Sequence, residues 1–269
     1  MTHLKSSSTY LVLAFVISLV ACSKAPTIEE GKLAYESNDY AKAIKIFTPL
    51  AETGNLEAQL QLGSIYMAGP FAKNEFSDSR KSFFWYSKAA EQGDENAQHH
   101  LGFLYESGEG IEKNQNRAFD YWEKAANHGG WDKQTFIAKK YLNEKRYKDA
   151  ARWYLRLAEQ DDTDAQTTIC SLYLEGNGVH QDFQQALEWC NKAAVKGDEW
   201  SLHLLGTIYA KGQGVQADSI RAHMYFNLSR AGVFSKIEIA ELEMTMSKAQ
   251  IIEAQMLARN WVASHKGTK

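Results

Sequence analysis

Cys22, Cys170 and Cys190 are the three cysteines of this 269-residue chain. A thiol can accept an acyl group or close a disulfide, so each needs a place in the account. The adjacent pair His99-His100 suggests a metal ion. Neighbours on a helix, however, point about 100° apart and cannot share one. One groove-lining histidine and one packed or solvated histidine is the plainer reading. Serine chemistry has no frame here: Ser-x-x-Lys, Gly-x-Ser-x-Gly and His-Glu-x-x-His are all missing. The tryptophans could stack on sugars, but most recur at fixed intervals, which makes core packing the default; Trp131 and Trp200 fall outside those intervals. No catalytic residue, metal or cofactor is expected.

Charge and hydropathy narrow the classes further. Thirty basic against 33 acidic side chains leave a net charge of -3, without the basic excess of a nucleic-acid binder. A mean hydropathy of -0.45 excludes a chain that crosses the membrane many times.

The amino end reads as a leader. Lys5 precedes residues 11–20, LVLAFVISLV, which carry no charge. That run is too short for a bilayer, which takes about 20 apolar residues, and fits a signal-peptide core. Leu19-Val20-Ala21-Cys22 resembles the lipobox of bacterial lipoproteins. The resemblance implies a signal peptide over residues 1–21, with Cys22 as the first mature residue and lipid carrier. A plain cleaved signal or a short anchor is the rival. Ser23 stands where an aspartate would favour inner-membrane retention, which implies lipid anchoring at the periplasmic face of the outer membrane. Residues 22–27 form a short lipidated linker, and Thr27-Ile28-Glu29-Glu30 reads as a capping box opening a helix.

The remainder repeats itself. Ala58-x3-Leu62-Gly63-x2-Tyr66 returns as Ala97-x3-Leu101-Gly102-x2-Tyr105, Ala165-x3-Ile169-Cys170-x2-Tyr173 and Ser201-x3-Leu205-Gly206-x2-Tyr209. A second block follows each, as in Trp85-Tyr86-Ser87-Lys88-Ala89-Ala90. Leu62, Gly63 and Tyr66 share a helix face, and Gly108-Glu109-Gly110 breaks the helix, so each copy is an αα-hairpin. The small residue after the Leu slot lets the two helices approach, and an aromatic on the partner helix covers it. Two copies lack the glycine loop, one of them turning through residues 143–146. Six copies over residues 28–232 and capping helices over 233–269 predict an all-α, right-handed solenoid of about 13 to 14 helices.

These blocks resemble the Sel1-like repeat, a relative of the tetratricopeptide repeat. The resemblance implies a superhelix whose first helices line a concave groove that binds partner segments. The positions two before and two after the Leu slot would face it: Leu60, Ser64, His99, Phe103, Lys139, Ser171, His203 and Thr207 among them. It also implies a non-catalytic protein-interaction scaffold of the envelope. The alternative is an envelope enzyme such as a cell-wall hydrolase or β-lactamase.

In the fifth copy both members of the small-slot and covering pair change together, to Cys170 and Cys190. With Cys22 taken by lipid, this even pair in an oxidising compartment is expected to form a disulfide. Disulfide-bonded Sel1-like repeats usually bridge at the slots of Ala165 and Ala194, so the pair sits about one turn nearer the hairpin loop. Two buried free thiols or a redox-active pair are the rivals. Charge is uneven at Lys133, Lys139, Lys140, Lys145, Arg146, Lys148, Arg152 and Arg156. Self-pairing is the default there, and docking of an anionic partner or polysaccharide the alternative.

Overall fold

A computed structural model describes residues 26–67, 75–229 and 232–265; the leader and Cys22 lie outside the described residues. The chain divides after Asn114 into two compact units. The first holds α1 (Ile28–Glu36), α2 (Tyr40–Glu52), α3 (Leu56–Tyr66), α4 (Ser79–Glu91) and α5 (Glu95–Ser107). The second holds α6 (Gln115–His128), α7 (Trp131–Asn143), α8 (Tyr147–Glu159), α9 (Thr163–Glu175), α10 (Phe183–Val195), α11 (Glu199–Lys211), α12 (Ser219–Ser229), α13 (Gly232–Glu243) and α14 (Lys248–Ser264). These fourteen helices, with no strand among the described residues, make an all-α repeat fold.

Short polar residues set where each helix begins. The side chains of Asn55, Asp94, Asp162 and Asp198 each accept a backbone N–H two to three residues into the following first helix. Asp39, Asp78 and Asp182 do the same for second helices. Each such cap stabilises its helix by about 1 kcal/mol. The predicted capping boxes of Thr27 with Glu30 and of Ser247 with Gln250 both form. The first helices α5, α9 and α11 end on left-handed glycines. Gly176 and Gly212 take φ of 71° and 66°, where a side chain would be strained. The turn at 143–146 lacks glycine, and Lys145 adopts φ 56° instead.

The core lies between the helices of each hairpin. In the first unit Phe47, Leu62 and Ile65 are sealed with Ala34, Ala43 and Ala58. In the second, Trp122, Ile137, Tyr141, Leu157, Ile169, Leu205 and Ile208 are sealed. The small slot works by close approach. A Cβ on Gly206 would lie 2.5 Å from Phe226 Cδ1, and one on Gly63 would lie 2.8 Å from Tyr86 Cδ1. The missing side chain is therefore the space the ring occupies. Burial pushes the Tyr154 hydroxyl pKa up to about 12, with Asp162 and Asp164 adding to it. At the carboxyl end α14 packs on α12 and buries Ala254 and Ala258.

Candidate functional site

The first helices position the candidate binding residues. In the first unit, Leu60 and Ser64 of α3 and His99 of α5 are half-buried. The Ser64 hydroxyl is 3.0 Å from the Tyr35 hydroxyl. Phe103 is 39% exposed and meets the His99 ring edge-on at 5.0 Å. His100 turns the other way and stacks on Tyr86 at 4.6 Å, so the two histidines do not converge. In the second unit, Lys139 is exposed and Ser171 and Thr207 are half-buried. Thr207 lines a recess of about 240 Å³ with Lys211, Phe226, Glu238 and Thr245.

His203 departs from its expected place in the groove. It is 7% exposed and closes the joint between α11 and α13. Its Nδ1 lies 3.2 Å from Ser235 Oγ and 3.3 Å from Glu238 Oε2. Ser235 continues to Ser229 Oγ at 2.7 Å. Burial holds the Glu238 carboxyl above the usual carboxylate range, against the pull of His203. The reason is positional: in α9 and α11 the slot two before the Leu position faces the helix that opens the next hairpin. Thr167 shows the same arrangement, bonding Ser201 Oγ at 2.7 Å and Asp198 Oδ1 at 2.9 Å.

Cys170 and Cys190 are joined by a disulfide between α9 and α10, with Cα atoms 5.4 Å apart and both residues sealed from solvent. The basic residues of α7 and α8 mostly find partners at home. Lys133 pairs with Asp132, Arg146 with Asp149, and Arg152 with Glu123. Arg146 also sits over Tyr141 at 4.5 Å, Lys140 over Trp122 at 4.8 Å, and Arg156 over Trp153 at 5.5 Å. Lys139, Lys145 and Lys148 stay exposed. Among the described residues no three His, Cys, Asp or Glu side chains gather to hold a metal, and no helix is long and apolar enough to cross a membrane.

One recurrent residue escaped sequence reasoning. Gln59 and Gln166 are buried just inside their first helices, and their amides donate to the carbonyls of Ala51 and Ala158 at 3.0 and 3.2 Å. Each ties a first helix to the end of the preceding second helix. The signal was the recurring Ala-Gln pair at 58–59, 97–98 and 165–166.

The comparisons agree with this geometry. The Sel1 repeat model matches residues 56–94, 96–130, 144–162, 163–198 and 201–231. Chitin synthase regulatory factor 3 of Schizosaccharomyces pombe is 26% identical over 224 residues, covering 79% of this chain and 24% of that protein. An uncharacterized protein of Neisseria meningitidis serogroup B is 27% identical over 132 residues, 49% of this chain and 28% of its own. The chain thus spans about a quarter of the length of these curated relatives. A crystal structure of a Sel1 repeat protein from Oxalobacter formigenes is similar with a TM-score of 0.56 and 28% identity, over 90% of this chain and all of that one. A protective antigen present in uropathogenic Escherichia coli strains, displaying an SLR fold, gives a TM-score of 0.52 at 28% identity, over 88% of this chain and 53% of its own. With the Sel1 repeat model matching more than half of its length, and with the hairpins it requires in place, the chain belongs to the Sel1 repeat family.

Proposed function

We propose that this chain is a non-catalytic scaffold of the bacterial cell envelope, lipid-anchored through Cys22 and binding protein segments on its first-helix faces. Sel1 repeat proteins are generally protein-interaction scaffolds, which supports the binding role. The observation that carries the location is the leader: an uncharged run over residues 11–20 ending in Leu19-Val20-Ala21-Cys22, a few residues before the first helix. In that reading Leu60, Ser64, His99 and Phe103 offer one stretch of contact surface, and Lys139, Ser171 and Thr207 another. Exposed Lys139 and Lys145 suit an acidic stretch of the partner.

Replacing the acceptor tests the anchor. Cys22→Ala is expected to give a protein that takes up no labelled palmitate and leaves the membrane fraction. A single acyl chain binds membranes only weakly, so stable anchoring takes the several chains a lipoprotein carries. A Cys22→Ala protein that stays in the membrane would show that the apolar run itself is the anchor.

A further inference from the structure

Two tryptophans remain on the surface although each is pinned in place. Trp131, the first residue of α7, is 56% exposed, and its indole N–H donates to Asp162 Oδ2 at 2.6 Å. Trp200, in the first turn of α11, is 50% exposed and stacks one face on His203 at 5.0 Å, with the rings 15° from parallel. His203 is fixed in turn by Ser235 and Glu238. Trp85, Trp122, Trp153 and Trp189 are all buried. Leaving a large apolar ring in water has no folding benefit. Holding it there by a polar bond and a stacked ring presents its free surface to something else.

The two rings lie on the same edge of the second unit, at the first turns of α7 and α11. Trp131 reaches the start of α9 through Asp162, and α9 touches α11 through Thr167 and Ser201. With the Trp131 ring already at the start of α9, about one helix spacing, roughly 8–10 Å, separates it from the start of α11. The surface between them at the start of α9 is Asp162, Thr163 and Asp164, hydroxyl and carboxylate rather than hydrocarbon. A protein hot spot is a continuous, desolvated cluster. Flat apolar rings separated by hydrogen-bonding groups match a different ligand. A pyranose offers a C–H face to an indole and a rim of hydroxyls to carboxylates and threonine.

The charge of this edge chooses among glycans. Asp132, Asp161, Asp162, Asp164, Asp198 and Glu199 outnumber Lys133 and Lys196. Lys133 is already bound to Asp132, and Lys196 to Asp161. The Lys196 bond holds the Asp161 carboxyl below its usual range, so that group stays ionised. An anionic polysaccharide meets net repulsion here, and a neutral or amine-bearing one does not.

We propose that the Trp131–Trp200 edge binds a linear, gluco-configured glycan, neutral or amine-bearing, with a sugar ring stacked on each tryptophan. The two rings stand at the first turns of their helices, apart from Lys139, Ser171 and Thr207 of the scaffold reading, and the site does not depend on Cys22.

The test is titration of the detergent-purified full chain with cellohexaose and with the β-1,4-glucosamine hexamer, followed by tryptophan fluorescence and calorimetry. Polygalacturonate serves as the anionic control. At least one hexamer is expected to bind saturably. Trp131→Ala and Trp200→Ala should each weaken it about tenfold, the scale of one stacked ring. Trp131→Phe and Trp200→Phe keep a ring and should retain most of the affinity, which separates stacking from any loosening around His203. Failure of both hexamers to bind at millimolar concentration would overturn the proposal. So would binding that ignores both alanine changes, phenylalanine variants as weak as the alanine ones, or tighter binding of polygalacturonate. Loss of palmitate labelling in Cys22→Ala is read separately, so either proposal can fail alone.

Discussion

The hairpins α9–α10 and α11–α12 hold the same helix crossing by different means. In α11–α12 the Phe226 ring fills the space over Gly206, at a distance that leaves no room for a Cβ. In α9–α10 the ring and the glycine are both replaced, and the Cys170–Cys190 disulfide spans the gap with Cα atoms 5.4 Å apart. The ring holds the crossing through area removed from water and dense contact. The disulfide holds it by restricting the unfolded chain. Their expected contributions are similar, about 3–5 kcal/mol for the ring and about 3 for the bridge. A slot in a repeat can therefore change chemistry without changing geometry, provided both partners change together.

The sharpest break in this comparison is Phe226→Ala. It should cost about 3–5 kcal/mol in chemical denaturation, because the cavity over Gly206 cannot collapse onto a bare backbone. The paired change Cys170→Ser with Cys190→Ser should cost about 3 kcal/mol. Adding reductant to the parent chain should reproduce that loss while leaving the Phe226→Ala increment unchanged. Equal sensitivity of both hairpins to reductant would end the distinction. Gly206→Ala comes next, at about 1–3 kcal/mol, since the new Cβ forces the Phe226 ring aside.

A smaller effect concerns how the α11–α12 hairpin is covered. Glu238 of α13 faces His203 with its carboxyl held above the usual range, chiefly by burial. A carboxyl raised on folding adds stability below its ordinary range and loses it as pH rises through the raised value. Relative to Glu238→Gln, the parent chain should therefore gain stability as pH falls from 7 to 5. Melting curves at the two pH values read the sign, and a gain on raising the pH would contradict the assignment. Smallest of all, Phe103→Ala should change stability by less than about 1 kcal/mol, as befits an exposed ring, while weakening capture of a bound partner. A large fall in melting temperature would show that Phe103 supports the fold.

The two hairpins also show what could be read in advance. Leu62-Gly63-x2-Tyr66 and its echoes carry the helix face, the close approach and the turn in one pattern, so hairpins and their order were legible. The joint change at 170 and 190 was visible as a departure from that pattern. His203 was not placed correctly, because its partners Ser235 and Glu238 lie beyond residue 232, where the repeat stops and no register relates them to α11. Gln59 and Gln166 were overlooked for a different reason. Glutamine is ordinarily a surface residue, and only the distance to Ala51 and Ala158 shows that these two are ties between hairpins. Solvent-facing residues carry no packing pattern, which is why the binding faces rest on position within the repeat.

Site-specific photo-crosslinking in living cells tests the central claim most directly. A photoreactive phenylalanine analogue replaces Phe103 on a first helix, and in a second strain replaces Lys148, an exposed residue of the second helix α8. The scaffold account predicts a discrete protein adduct from position 103, absent from position 148 and diminished when Leu60 is also changed to a charged residue. Equal adducts at both positions, or none at position 103 in cells that retain the protein in the envelope, would contradict binding through the first-helix face.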